Sequence, residues 1–451
     1  GETLTKETTL LDGQANETFT LTSDTNNATG GVDTFTGGSG DDEFRGLADN
    51  SFTASDDLDG GEGTDSLIAR YKTGTTTEVT GNSQSIEKFF VTATVETNNE
   101  NLTFSAENLA GVEQLWNKDS SNTVNTDGPD PSLANSEAVI FDNVALGTTI
   151  GVQNTGVVTT VNFDDVTGDS DDASFVLDGV DALEEADQSL GGGEDVPSRI
   201  TADGVETFNF QTLNSESTVG SVEGDDVETL NISGDQNLEL QSLESSLTTI
   251  GAGDFTGDLT IDLSGTNRDV TVTGGAGDDT LSFGSNLDSA DTVDGGEGED
   301  TISLSDSGSI GGTTFDNVSN IEILSLADDG DTTVDVSNIG GGFEQVNFAI
   351  EDNGNNTSDY DVTANGLATG NTVNVTSANL ENGDQTARDV LNGLGVVDLN
   401  LSDAQATDDS LTLALTNNNE DDDVVDNVAD FEDVDGEFNV NTVEIEGVET
   451  F

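Results

Sequence analysis

The nonapeptide G-G-x-G-x-D-x-U-x, in which U is a large apolar residue, fits the chain at four places: 37–45 (GGSGDDEFR), 60–68 (GGEGTDSLI), 274–282 (GGAGDDTLS) and 295–303 (GGEGEDTIS). Few local patterns restrict a fold so strongly. Glycines at the first, second and fourth positions admit backbone angles closed to other residues, so consecutive carbonyls can turn toward one point. The aspartate adds a carboxylate there, and the apolar residue opens a short strand whose side chain turns inward. Each full copy follows a weaker one. Residues 28–36 keep Asp33 and Phe35 at the sixth and eighth positions, 51–59 keep Asp56 and Leu58, 286–294 keep Asp291 and Val293, and 265–273 has lost its aspartate. Four nonapeptides thus form each cluster, and the clusters lie 237 residues apart (274 minus 37). The duplication predicts two copies of one plan: a first β-solenoid unit over 1–235 with a clip at 28–68, and a second over 236–451 with a clip at 265–303.

If two nonapeptides make one coil, alternate loops stack on the same side, which sets Asp42 over Asp65 and Asp279 over Asp300. A cation between each pair would close the site. The candidate metal ligands are these four carboxylates, the backbone groups of Gly37, Ser39, Gly61, Thr64, Gly274, Ala276, Gly296 and Glu299, and the aspartates of the weaker copies, Asp33, Asp56 and Asp291. Oxygen-only ligation suits hard Ca²⁺. The chain has no Cys and no His, which removes thiolate and imidazole metal sites and the usual catalytic triads.

Charge points the same way. With 92 acidic against 9 basic residues the formal charge is -83. Every phosphate contact would be repulsive, which excludes a nucleic-acid partner and disfavours an anionic lipid surface. The compact state has to endure strong self-repulsion unless small cations gather on it. No run of about 18 apolar residues exists to span a membrane, and no export leader opens at residue 1, so the chain is expected to be a mature fragment or to carry its signal elsewhere. Apolar residues make up only 32%, yet Val, Ile, Leu, Phe and Thr alternate with polar residues throughout, which predicts many short strands rather than disorder.

Between the clusters an apolar residue followed by Glu recurs at 86–87, 112–113, 205–206, 227–228, 321–322, 343–344 and 448–449. In both halves the Glu falls 22 residues beyond the last motif aspartate, since 87 minus 65 and 322 minus 300 agree. Spacings of this size are those of one β-helix coil, so parallel strands stacked coil on coil are predicted. For these glutamates a solvated turn or a ladder closing a strand is favoured over a ligand role. The acidic runs 163–172 and 419–438 lack EF-hand spacing and read as solvated acidic faces or further Ca²⁺ loops.

The nonapeptides resemble those of the RTX (repeats-in-toxin) calcium-binding proteins, and the run TFTLTSDTNNATGGVDTFTGGSGDDEF, 18–44, is similar to the opening of calcium-dependent surface-layer proteins of Gram-negative bacteria. The resemblance covers residues 17–91 and 265–326. It implies a parallel β-roll with Ca²⁺ in its loops, type I secretion and folding outside the cell. Two short clips rather than a long tandem array favour a structural member over a toxin. An enzyme is not expected: with so many carboxylates, acidic pairs carry no information, and one Trp and two Tyr leave little to stack on sugar rings. The expected function is an all-β, calcium-dependent extracellular structural protein that self-assembles into a surface layer or an extracellular filament or matrix. The expected partner is a further copy of the chain, joined through Ca²⁺, with cell-surface polysaccharide as a second. An adhesin-like binding module is the alternative, and a β-helical polysaccharide-degrading enzyme a less favoured one. The last copy of the Glu phrase stops in mid-pattern, so the polypeptide is expected to continue. Neither end shows a helical cap, so association through the ends is expected once divalent ions neutralise the surface.

Overall fold

Alternation of apolar and polar residues at period two dictates strands with one buried face. In the computed structural model every strand pair is parallel, and no α-helix occurs among the described residues. Those residues are 15–22, 31–73, 77–95, 101–122, 138–168, 170–181, 198–266, 268–305, 308–311, 313–328, 332–337, 343–350, 360–368, 370–377, 394–401, 412–417 and 442–446. The acidic run 419–438, the Glu phrase at 448–449 and the first eleven residues lie outside them. The chain divides into two units, Gly1–Ser246 and Leu247–Phe451, where sequence placed the boundary at 235/236.

Each unit is a parallel β-solenoid. In the first, one sheet runs through Thr18–Thr20, Glu43–Gly46, Ser66–Thr73, Lys88–Val95, Gln114–Lys118, Thr149–Gln153, Asp172–Asp178, Thr207–Thr212 and Thr229–Gly234. Thr34–Thr36, Asp57–Asp59, Ser83–Gln84 and Leu109–Ala110 build a second sheet, and a third runs from Thr77–Thr80 to Ser221–Glu223. In the second unit, Leu259–Asp262, Thr280–Gly284, Thr301–Leu304, Ile323–Asp328, Gln345–Ile350, Thr372–Ser377 and Thr412–Asn417 stack in that order.

Every strand that follows a described nonapeptide loop begins at the seventh position of its repeat: Thr34, Glu43, Asp57, Ser66, Thr271, Thr280, Thr292 and Thr301. The register pairs Glu43 with Ser66, Thr34 with Asp57, Thr280 with Thr301 and Thr271 with Thr292, so alternate loops stack on the same side as expected. A coil is longer than two nonapeptides, because residues 46–50 and 283–285 are interposed between them. Elsewhere the coil length varies more than the 22 to 26 residues read from sequence: the register advances 35 residues from Gln114 to Thr149, and 40 from Thr372 to Thr412.

The eighth-position residues Phe44, Leu58, Leu67, Val272, Leu281, Val293 and Ile302 are fully buried. In Lys88–Val95 burial alternates residue by residue, with Phe89, Val91, Ala93 and Val95 inside. Phe52, Phe89, Phe104, Phe141 and Tyr71 fill the interior beside the first clip with ring centroids 6.1 to 6.5 Å apart. The Tyr71 hydroxyl is buried and donates to the Phe52 carbonyl at 3.1 Å, so it is satisfied within the core. Each unit is therefore held by an apolar core, and the acidic residues collect at corners and on the outside.

Candidate metal centre

The motif aspartates sit one residue before their strands, at a corner where the backbone turns and its amides lose their sheet partners. Their carboxylates supply the missing acceptors. Asp42 Oδ1 accepts the Glu17 amide (2.6 Å), Asp65 Oδ1 the Asp42 amide (2.7 Å), and Glu87 Oε2 the Asp65 amide (2.7 Å). The second clip repeats this: Asp279 Oδ1 accepts the Leu259 amide (2.8 Å), Asp300 Oδ1 the Asp279 amide (2.9 Å), and Glu322 Oε2 the Asp300 amide (2.9 Å). In each rung the amide belongs to one coil and the carboxylate to the next. The identical 22-residue step from the last motif aspartate to Glu87 and Glu322 is thereby explained: both glutamates close a ladder, as favoured from sequence.

The two glycine loops of each clip differ. In the first, the amide of the second glycine folds back on its own aspartate, Gly38 on Asp42 Oδ2 (2.7 Å) and Gly275 on Asp279 Oδ2 (2.8 Å). In the second loop Gly61 and Gly63 take φ of 99° and 128°, and Gly296 and Gly298 take 108° and 128°. These values lie in the left-handed half of φ space, open at little cost only to glycine. The Gly61 amide turns to Asp59 instead (3.2 Å), and Asp65 Oδ2 is left buried with no hydrogen-bond partner. A carboxylate oxygen shielded from water and from donors is costly unless it takes a proton or a cation.

The surroundings are shaped for a small ion. A Cβ on Gly60 would fall onto Asp65 Oδ2 and the Ser85 carbonyl, and one on Gly295 onto Asp300 Oδ2 and the Asn320 carbonyl. Ser85 and Asn320, two residues before the closing glutamates, both adopt φ of 52°, an uncommon angle for residues with a side chain. Each clip thus has a third rung, at 85–87 and 320–322, of which sequence reading assigned the glutamate but not Ser85 or Asn320. A second, exposed ladder was also missed. Asp41 Oδ1 accepts the Thr64 amide (2.8 Å) and Asp278 Oδ1 the Glu299 amide (2.8 Å), while the Asp41 and Asp278 amides reach Asn16 (3.1 Å) and Asp258 (3.0 Å). The signal was present as GDD, which within each clip occurs only in the first full copy.

Among the sequence-predicted ligands, Asp42, Asp65, Asp279 and Asp300 are brought together in stacked pairs, with Gly37, Ser39, Gly61, Thr64, Gly274, Ala276, Gly296 and Glu299 in the loops beside them. Asp33, Asp56 and Asp291 lie on the other side of the coils. Their carboxylates are bonded by Thr22, by Asp33 and Thr53, and by Val270 and Asp288. The run 163–172 forms another corner, with the Gly168 amide on Asp171 Oδ2 (3.1 Å) and the Asp171 amide on Glu206 Oε2 (2.7 Å). Among the described residues no three acidic side chains converge on a point that could hold a metal. An ion in these clips would therefore draw on backbone carbonyls as well as carboxylates, an all-oxygen donor set that fits Ca²⁺.

Burial pushes the Asp65, Asp279 and Asp300 carboxyls above their ordinary range, Asp300 to about 7, with Asp279, Glu322 and Asp278 adding repulsion there. A folded-state value raised above the unfolded one stabilises only below the unfolded value and is lost as pH climbs through the folded one. The calcium-free protein is thus expected to melt at progressively lower temperature from about pH 4 to about pH 7, and Asp300→Asn to flatten that dependence. Calorimetry across this range checks it, and a calcium-free melting temperature that rises with pH would contradict the assignment.

Residues 262–289 and 287–306 match the family model described as the RTX calcium-binding nonapeptide repeat (4 copies). No curated protein matches the chain. The match falls on the second clip, and the first reproduces its ladder bond for bond. The chain carries RTX-type repeats on a parallel β-solenoid, and such repeats bind calcium.

Proposed function

We propose that this is an extracellular structural protein whose clips close on Ca²⁺ and which then self-assembles into a surface layer, filament or matrix, with no enzymatic activity. The observation that carries the reading is the bare, buried Asp65 Oδ2 in its glycine cradle, a position that calls for a cation. Asp42, Asp65, Asp279 and Asp300, with carbonyls of the loops around them, would hold the ions. Ca²⁺ there neutralises charge that the corner otherwise keeps apart, so closure of the clips and loss of self-repulsion proceed together. RTX repeat proteins are typically exported by type I secretion, which supports an extracellular site of folding. No helix among the described residues is long and apolar enough to cross a membrane.

Electron microscopy and light scattering in EGTA, in millimolar Ca²⁺ and in NaCl of equal ionic strength test the reading. Extended assemblies are expected in Ca²⁺ alone, because sodium screens repulsion without bridging carboxylates. A monodisperse monomer in millimolar Ca²⁺ would overturn self-assembly.

A further inference from the structure

Of the nine Lys and Arg residues in the chain, five stand on one face of one sheet. Arg45, Arg70, Lys72, Lys88 and Lys118 are carried by Glu43–Gly46, Ser66–Thr73, Lys88–Val95 and Gln114–Lys118, which lie side by side in parallel register. All five point away from the core, since the residues that alternate with them, such as Phe44, Ala69, Tyr71 and Phe89, are buried. The only acidic residue in these four strands is Glu43, which accepts from Arg45 Nε at 2.8 Å. The strands therefore carry 5 minus 1, or +4, and the rest of the chain -87 (-83 minus +4). From strand spacing and rise the face measures about 15–20 Å by about 25 Å.

No residue pattern places these charges together by chance of sequence proximity: they are spread over 74 positions (118 minus 45 plus 1) and meet only because the coils stack in this register. We propose that this basic sheet face docks onto the acidic surface of a second copy of the chain, as the repeating contact of the assembly. The inference rests on the self-assembly reading above. Charge complementarity selects the occupant, because the rest of the same chain carries a net charge of -87 (-83 minus +4). The contact joins unlike surfaces, so each copy keeps one surface of each kind for a further copy, and the contact propagates into an open chain or layer wherever the rotation between copies does not close a ring.

The aromatic residues on this face argue against a sugar as its occupant. Trp116 is only 8% exposed, lying over Gly151, whose missing Cβ makes room for the indole. Phe90 is flanked by Trp116 at 5.8 Å and by the Lys118 ammonium at 5.4 Å. The rings thus give the face rigidity but no broad open surface on which a pyranose could stack.

The test compares the full chain with Arg70→Glu/Lys72→Glu/Lys118→Glu and with the charge-preserving Arg70→Lys/Lys72→Arg/Lys118→Arg. Circular dichroism and Ca²⁺-dependent melting first confirm that both fold and bind calcium as the parent does. In millimolar Ca²⁺ the reversal is expected to raise the protein concentration for half-assembly at least about tenfold, while the charge-preserving variant assembles normally. Equal assembly of the reversal and the parent would overturn the docking face and leave self-assembly standing. A parent that stays monomeric in Ca²⁺ would overturn both. If the reversal abolished binding to alginate, a carboxylated polysaccharide, yet assembled as the parent does, the face would belong to an anionic glycan and not to a second copy.

Discussion

Withdrawing calcium is expected to lower the melting temperature by roughly 5–10 °C for each site emptied. Extracellular Ca²⁺ modules bind with dissociation constants of about 10⁻⁴ to 10⁻³ M. At about 10 mM free Ca²⁺, a site of roughly 10⁻⁴ M contributes about 2.7 kcal/mol, and in a unit of this size each kcal/mol moves the midpoint by about 2–4 °C. The effect should be large because calcium-free clips keep their carboxylates stacked, with Asp42 over Asp65 and Asp279 over Asp300, and burial makes each ionised oxygen costly. The Tyr71 and Phe104 cluster beside the first clip gives a local apolar core that does not depend on the ion. Melting by circular dichroism in EGTA and in Ca²⁺ measures the difference, and an unchanged midpoint would remove the calcium-coupled account.

The second large effect is expected from single carboxylates. Asp65→Asn and Asp300→Asn should each reduce calcium affinity of their own clip by roughly a hundredfold, since the ligand charge is lost and the neighbouring acids still repel. Asp56→Asn and Asp291→Asn should lower stability through their amide bonds while leaving calcium affinity near that of the parent. Glu87→Gln keeps an acceptor for the Asp65 amide and should stand between the two. Isothermal calorimetry orders the set. Were Asp56→Asn to lose as much affinity as Asp65→Asn, the ion would have to be placed on the opposite side of the coil.

Much of this geometry could be read in the residues. The nonapeptide fixes where each strand starts, and the pairing of full with weaker copies fixes which loops stack, so Asp42 over Asp65 followed from spacing alone. The place of Glu87 and Glu322 followed from their equal distance to the last motif aspartate. What could not be read is the difference between loops of the same composition. Gly38 and Gly61 occupy the same position of the motif, yet only Gly61 has a positive φ, because the choice is made by the coil on either side and not by the residue. The weaker aspartates look like the full-copy ones in a one-dimensional pattern, and in the structure backbone amides bond the carboxylates of both sets, Asp56 and Asp291 on one side of the coils and Asp42 and Asp279 on the other. The basic face escaped notice for a related reason: alternation tells which residues point outward, but the lengths of the intervening excursions decide which coils bring them together.

The buried carboxylate ladders run in one direction. Each amide of the buried ladders is held by a carboxylate that occurs about 20 residues later in the chain, whereas in the exposed ladder Asp41 and Asp278 hold the amides of Thr64 and Glu299, which come later than they do. A coil is therefore finished only when its successor is in place, and a polypeptide emerging from its amino end would hold each corner open until the next stretch arrived. In the buried ladders correctness of closure is handed backward along the chain, so an error in a later coil is felt in the one before it, while an error in an earlier coil reaches its successor through the exposed contacts of Asp41 and Asp278.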